Sequence, residues 1–237
     1  MAASYFEFKR FIIHQDQCAM KVGTDGVLAG AWAELPTHGH VLDIGTGTGL
    51  MALMAAQRCE ANVTGIDIDL PATRQACFNA ASSPWADRIE ILQTDVQSFS
   101  RHTPLRFDAI LSNPPYFTEQ VKSPDARRRA ARHTDGLSFG ELLQAVARLL
   151  TPDGTFTVII PASAAPDFIA LALAERLYLK RRTWVCTKAT LPPRRVLMTF
   201  SLAAHVEADT DTLVIEETPG VRSRAYTALT SDFYLSR

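Results

Sequence analysis

Short apolar runs alternate with helical patterns along most of this chain, and that alternation limits its fold more than any other feature. His40 to Ile44 (HVLDI) is the first strong strand. It runs into Gly45-Thr46-Gly47-Thr48-Gly49, and Leu50 to Arg58 follows as a helix. Asn62 to Ile66, Ile89 to Gln93, Phe107 to Leu111 and Thr155 to Ile160 read as four further strands. Pro71 to Ala81, Leu137 to Leu150 and Ala165 to Leu177 carry helical patterns among and after them. Strands that alternate with helices imply a doubly wound, largely parallel sheet covered on both faces. Arg181 to Cys186 and Val196 to Leu202 have no comparable helix between them, so an antiparallel hairpin is expected there.

The flanks are weaker. Phe6 to His14 alternates loosely, as a strand or strand pair does, and Thr24 or Asp25 is the expected N-cap of a helix over Val27 to Glu34. Thr151-Pro152-Asp153-Gly154 reads as a turn, Leu213 to Glu217 as a short edge strand, and Ala225 to Tyr234 as a helix. Residues 100–104 and 204–220 are otherwise loop-like. With no repeat, low-complexity tract or Gly/Ser-rich linker, the 237 residues are expected to form one domain.

Function concentrates where the fourth strand ends, in Asn113-Pro114-Pro115-Tyr116. Open α/β sheets hold ligands in the crevice beyond their strands' carboxyl ends. The prolines offer no N–H, keep the chain rigid and leave carbonyls free to accept. Asn113 adds a side-chain carbonyl, and Tyr116 an aromatic face. Such a set suits a planar group bearing –NH2, with two acceptors for its hydrogens and a ring to stack on. The plain alternative is a proline-rich turn that merely ends a strand.

The glycine turn selects between nucleotide cofactors. A dinucleotide site favours G-x-G-x-x-G around a pyrophosphate. Here the spacing is G-x-G-x-G through Gly45, Gly47 and Gly49, and Asp43 precedes it inside the strand. A carboxylate there repels a pyrophosphate but suits the ammonium of S-adenosylmethionine. Asp67, ending the second strand, suits ribose hydroxyls, Ile68 packs on an adenine, and Asp95 accepts from its amino group. Helix capping is the structural alternative for all three acids.

Composition excludes other classes. Formal net charge is −1, so no whole-protein basic footprint grips nucleic acid. Local groups remain: Lys122, Arg127, Arg128, Arg129 and Arg132 after the NPPY stretch, and Lys180, Arg181, Arg182, Lys188, Arg194 and Arg195 on the closing hairpin. Acids gather in the tail at Glu207, Asp209, Asp211, Glu216 and Glu217. A basic rim at one end of the sheet suits a folded RNA. Cys18, Cys59, Cys77 and Cys186 form no C-x-x-C pair, which argues against a zinc site and fits a reducing cytosol. No apolar run approaches a membrane span, and the first residues lack a signal-peptide core, so a cytoplasmic protein with no metal is expected.

DIGTGTG with a downstream NPPY resembles the amino-methyltransferases. FKRFIIHQDQCAMKVGTDGVLAGAWA, VLDIGTGTGLMALMAAQR, GIDID, ARHTDGLSF and PPRRVLMTFSL together resemble the bacterial tRNA1(Val) adenine-37-N6 methyltransferases over nearly the whole chain, to the DFYL ending. CAMKVGTDGVL is the most specific part. The resemblance implies a Rossmann-like, seven-stranded methyltransferase sheet, mostly parallel with an antiparallel closing hairpin, in which residues 1–38 help to build the site. It implies S-adenosylmethionine as cofactor, contacted by Asp43, Gly45, Gly47, Asp67 and Asp95; Gly49, Ile68 and Asn113 are read as further cofactor contacts from their places in the turn and at the strand ends. The resemblance implies Asn113, Pro114, Pro115 and Tyr116 as the catalytic stretch that holds the target base; Phe117 is read beside Tyr116 as a second stacking ring, and Arg127, Arg128, Arg129, Arg132 and Arg194, from the basic groups above, as tRNA contacts. A monomer is expected. His133 is read first as a surface or capping residue.

Two rivals stand beside this reading. One is methylation of a glutamine side-chain amide in a protein, which an NPPY stretch alone does not distinguish; such enzymes usually carry a larger substrate domain ahead of the glycine strand. The other is an RNA-binding protein that retains S-adenosylmethionine as a remnant. An intact NPPY and an intact acid series argue against it.

Overall fold

The five predicted parallel strands form the centre of one nine-stranded sheet in the computed structural model of the chain. The structure describes residues 4–18, 20–114, 137–204 and 207–235. A separate hairpin, β1 (Tyr5–Glu7) and β2 (Ile12–His14), is followed by α1 (Thr24–Trp32). Then come β3 (His40–Ile44), α2 (Leu50–Arg58), β4 (Asn62–Asp67), α3 (Leu70–Ala81), β5 (Ile89–Gln93) and α4 (Val96–His102). The second half continues as β6 (Phe107–Ser112), α5 (Phe139–Leu149), β7 (Leu150–Pro161), α6 (Ala165–Ala174), β8 (Tyr178–Lys188) and β9 (Arg195–Ser201). It closes with β10 (Asp209–Thr218), β11 (Val221–Arg222) and α7 (Arg224–Thr230).

The sheet order is β11-β10-β8-β9-β7-β6-β3-β4-β5. Strands β3 to β7 are mutually parallel, and β9 lies antiparallel to both β7 and β8. The run from β8 to β5 is the expected seven-stranded, mostly parallel sheet with its antiparallel hairpin. Strand β10 extends the hairpin side by pairing parallel to β8, and β11 pairs antiparallel to β10. Succession reverses beside β3, whose neighbours are β4 and β6, so the switch point lies between β3 and β6.

Alternate strand residues feed two cores. Val41, Ala109, Leu111, Ile159 and Leu197 pack with α1 and α2, whereas Leu42, Ile110, Val158, Ile160 and Met198 pack with α5 and α6. Both faces are covered, which is why these strands are apolar throughout. Helices α1 and α2 approach closely because Gly26 and Gly30 face the partner helix. A Cβ at Gly30 would come within 2.7 Å of Met54 Sδ.

Several expectations change. Helix α1 starts at Thr24, one residue earlier than a Thr24 cap allows; its N-cap is Gly23, which has no side chain to cap with, and the Asp25 carboxylate, inside the first turn, pairs with Arg195. Helix α4 was not anticipated; its seven residues bury only Val96, too few to show a period. Thr151 to Gly154 lies inside β7 rather than ahead of it: Phe107 pairs with Leu150, then Ala109 with Thr155, so the four residues bulge between those pairs. Asp108 secures the bulge, accepting from Thr151 Oγ1 at 3.2 Å and from the His40 N–H at 2.9 Å. Strand β10 runs ten residues where a shorter edge strand was expected.

The N-terminal segment is bound to α3. Asn79, 1% exposed, donates to the His14 and Thr48 carbonyls and accepts from the His14 N–H. Gln75 Oε1 accepts from the Gln17 N–H, and Gln15 Oε1 from the Val22 N–H. These bonds lead the chain across the sheet edge toward the glycine turn.

Candidate active site at the carboxyl edge of the sheet

The turn after β3 can be built only from glycine at three places. Gly45, Gly47 and Gly49 have φ of 72°, 55° and 82°, a region that side chains resist. They do not do the same work. A Cβ on Gly45 would meet nothing within 4 Å, and one on Gly47 would meet only the Gly45 carbonyl at 4.0 Å. Both present bare backbone to a cleft of about 1460 Å³. A Cβ on Gly49 would lie 3.4 Å from Ala76 Cβ on α3. Gly49 is therefore a packing glycine that starts α2, away from the cleft wall, where the sequence had grouped it with the ligand-facing pair.

The acids also separate. Asp67 lines the cleft and organises the turn: Oδ2 accepts from the Gly47 N–H at 2.8 Å, and Oδ1 from the Asp69 N–H at 2.9 Å. Each carboxylate oxygen has a second lone pair to offer. Asp95 lines the cleft too, and it caps α4 by accepting from the Ser98 N–H at 2.7 Å. That bond holds its carboxyl below the usual carboxylate range. Ile68, 72% exposed, stands between them at the rim.

Asp43 lies behind the turn, fully buried, instead of on the cleft wall. Its Oδ2 accepts from Thr46 Oγ1 at 2.7 Å and from the Ala52 N–H at 3.1 Å, in the first turn of α2. Its Oδ1 has no hydrogen-bond partner among the described residues. Burial pushes its carboxyl up to about 7, against the lowering effect of the Thr46 and Ala52 bonds. Capping-type contacts thus account for part of what Asp43 and Asp95 do.

Asn113 and Pro114 continue β6 into the same cleft, and Ser112 Oγ donates to the Ile44 carbonyl at 3.0 Å. That bond holds the ends of β6 and β3 side by side. Opposite them stand Lys21 to Gly26, the segment the resemblance marked as most specific, followed by α1. A Cβ on Gly26 would lie 3.8 Å from Asn113 Nδ2, so the two walls nearly touch. Leu137, Ser138 and Glu141 bring the start of α5 to the rim, where Ser138 and Glu141 form a capping box. The helix was expected to begin at Leu137, and the Ser138 cap starts it two residues later; the anchoring role of Asn79 was not legible, since no local pattern marks a side chain that bridges two distant backbones.

Pro115, Tyr116, Phe117, Arg127, Arg128, Arg129, Arg132 and His133 lie outside the described residues. The second basic group does not form one rim. Strand β9 runs antiparallel to β7, so Arg195 and the exposed Arg194 sit at the cleft end with Pro161 and Lys188. Lys180 and Arg181 lie at the other end of β8, paired with Glu34 at 2.5 Å and Asp211 at 3.9 Å. Among the described residues no group of His, Cys, Asp and Glu has the arrangement of a metal site, and no helix is long and apolar enough to cross a membrane.

Comparison with known proteins points one way. The methyltransferase small domain family matches residues 23–165. A tRNA1(Val) (adenine(37)-N6)-methyltransferase of Phocaeicola vulgatus is 48% identical over 236 residues, covering 100% of both chains. The enzymes so named from Bacteroides fragilis and Musicola paradisiaca are 46% and 42% identical, over 99% and 100% of this chain and 99% and 96% of their own. Among solved structures, a predicted O-methyltransferase from Agrobacterium tumefaciens superposes with TM-score 0.68 at 19% identity. It covers 88% of this chain and 96% of its own, a likeness of fold alone.

Proposed function

The chain belongs to the tRNA1(Val) (adenine(37)-N6)-methyltransferase family, and we propose that it methylates N6 of adenosine 37 in that tRNA, using S-adenosylmethionine. The observation that carries this reading is one cleft shared by a bare glycine turn and by the Asn113-Pro114 end of β6. Residues 1–237 are read as one domain whose first 38 residues contribute a wall of that cleft. A tRNA substrate supports a cytoplasmic location, and the reading calls on no metal.

The residues present suit the cofactor. Open space beyond Gly45 and Gly47 leaves room for a ligand against backbone, and the Asp67 carboxylate keeps lone pairs for hydroxyl donors. Asp95 and Ile68 border the adjoining part of the cleft. Asp43 is a positioning residue, fixing Thr46 and the start of α2 from behind. When bound, S-adenosylmethionine supplies a methyl group made electrophilic by its sulfonium.

An adenine amine is a poor nucleophile because its lone pair is drawn into the ring. The Asn113 side-chain oxygen and the Pro114 carbonyl accept its two hydrogens, which lets the nitrogen pyramidalise and direct its lone pair. Acceptors fixed in advance stabilise the charge that develops on nitrogen, and alignment contributes the rest. Tyr116, with Phe117, stacks on the extruded base, and Arg127, Arg128, Arg129, Arg132 and Arg194 meet phosphates. An anticodon loop is single-stranded, so extrusion costs less than from a duplex.

The test is incubation with unmodified tRNA1(Val) and S-adenosylmethionine, then nuclease mapping by mass spectrometry. N6-methyladenosine confined to position 37 is the expected product. Methyl transferred to a release-factor glutamine, with none on tRNA, would replace this reading with the amide one.

A further inference from the structure

A second, smaller cavity of about 490 Å³ lies away from the cleft, lined by Lys9, Arg10, Gln57, Arg58 and Asp232. It brings together the turn of the β1–β2 hairpin, the last turn of α2 and the residues after α7. Helix α2 begins at the glycine turn and has nine residues, so its far end lies about 13 Å along the helix from the cleft.

The cavity holds three cations against one carboxylate, and none of them makes an ion pair among the described residues. Each cation is held from behind. Lys9 Nζ donates to the Ser231 carbonyl at 2.6 Å, Arg58 Nη1 to the Gly30 carbonyl at 2.7 Å, and the Arg10 guanidinium stacks 5.2 Å above the Trp85 ring. These contacts leave further N–H donors on every one of them. The carbonyl end of α2 would ordinarily repel an anion. Here Arg88 brings a further cation to that end, donating to the Ala56 carbonyl of the last turn and to the Cys59 and Ala61 carbonyls just past the helix.

Gln57 ties α2 to the residues after α7, its Nε2 donating to the Asp232 carbonyl at 2.9 Å. Three cations with donors to spare match the phosphate oxygens of a nucleic-acid backbone.

We propose that this cavity binds a backbone phosphate of the tRNA substrate, positioning the RNA from a point remote from the reacting base. The proposal rests on tRNA being the substrate. A contact of this kind adds affinity and registers the RNA without reading its sequence.

The test is tRNA binding, not turnover, for the full chain and for Lys9→Gln/Arg10→Gln, with melting curves and S-adenosylmethionine affinity measured alongside. The double variant should bind tRNA about tenfold more weakly at moderate salt, with affinity for S-adenosylmethionine unchanged. The dependence of log Kd on log salt should flatten by about 1 to 2, and Arg10→Lys alone should retain most of the binding. Wild-type affinity and salt slope in a folded double variant would overturn the proposal. So would orthophosphate raising the melting temperature of the wild type but not of the variant while both bind tRNA equally, since the cavity would then hold a free anion. Failure of the wild type to methylate tRNA, with RNA still bound and the variant weakened, would count against the proposed function alone.

Discussion

Arg195 Nε lies 2.7 Å from Asp25 Oδ2, joining residues 170 positions apart. Arg195 opens β9 at the cleft end of the sheet, and Asp25 sits in the first turn of α1, which walls the cleft opposite Asn113. The bridge ties the start of α1 to β9 at that end of the sheet.

Arg195→Ala should therefore act on the cofactor as well as on stability. The side chains are 32% and 28% exposed, so solvent screens the pair in part, and about 1 kcal/mol of stability is expected to go. S-adenosylmethionine affinity should fall a few-fold, with Arg195→Lys recovering part of it. Melting and titration calorimetry measure the two effects. Unchanged affinity in Arg195→Ala would mean that the Gly26 and Gly30 packing against α2 holds the wall unaided.

Asp43 makes stability depend on pH in a defined sense. Its carboxyl is raised to about 7 in the fold, chiefly by burial, from an ordinary value near 4. Between about pH 4 and 7 the unfolded chain has released a proton that the native state keeps. Stability contributed by this group therefore falls as pH rises through that window and levels off above it. Asn does not titrate. The melting temperature of Asp43→Asn minus that of the wild type should grow more positive from about pH 5 to about pH 8, other groups cancelling. A flat difference would show Asp43 ionised throughout.

Asp67 performs two jobs that substitutions can separate. Asp67→Ala should weaken S-adenosylmethionine binding by roughly 1.5–3 kcal/mol, the size of a charge-assisted hydrogen bond. It should also lower the melting temperature, because the Gly47 and Asp69 N–H groups lose their acceptor. Asp67→Asn keeps an acceptor oxygen and should recover much of the stability but little of the affinity. Full cofactor affinity in either variant would place the ribose elsewhere.

The central strands and the glycine turn were legible because burial on both faces demands apolar runs, and a strand–glycine–helix order admits few geometries. The closing hairpin was legible from the lack of a crossover helix. Asp43 misled because a carboxylate before a glycine turn looks the same in sequence whether it faces the cleft or supports the turn from behind. Gly49 misled likewise, since a positive φ is equally needed for packing on Ala76. The basic residues of β8 and β9 looked like one group, yet eleven-residue β8 carries Lys180 and Lys188 to opposite ends of the sheet. The sequence spacing of charges fixes neither end until the strand direction is known.

Asn113 is where the chemistry is most open to test. It is half-buried at the end of β6, beside Pro114 and across from Gly26. If its side-chain oxygen accepts from the target amine, the interaction strengthens only as the nitrogen pyramidalises, so its loss should appear in kcat more than in binding. Asn113→Ala should remove most turnover on tRNA1(Val) while S-adenosylmethionine and tRNA affinities stay near wild type. Asn113→Asp keeps an acceptor and should retain measurable activity. Single-turnover rates at saturating tRNA and cofactor are the measurement, because they isolate the chemical step from product release. An Asn113→Ala rate within a few-fold of wild type would mean that the Pro114 carbonyl and alignment suffice, and that Asn113 serves the shape of the cleft instead.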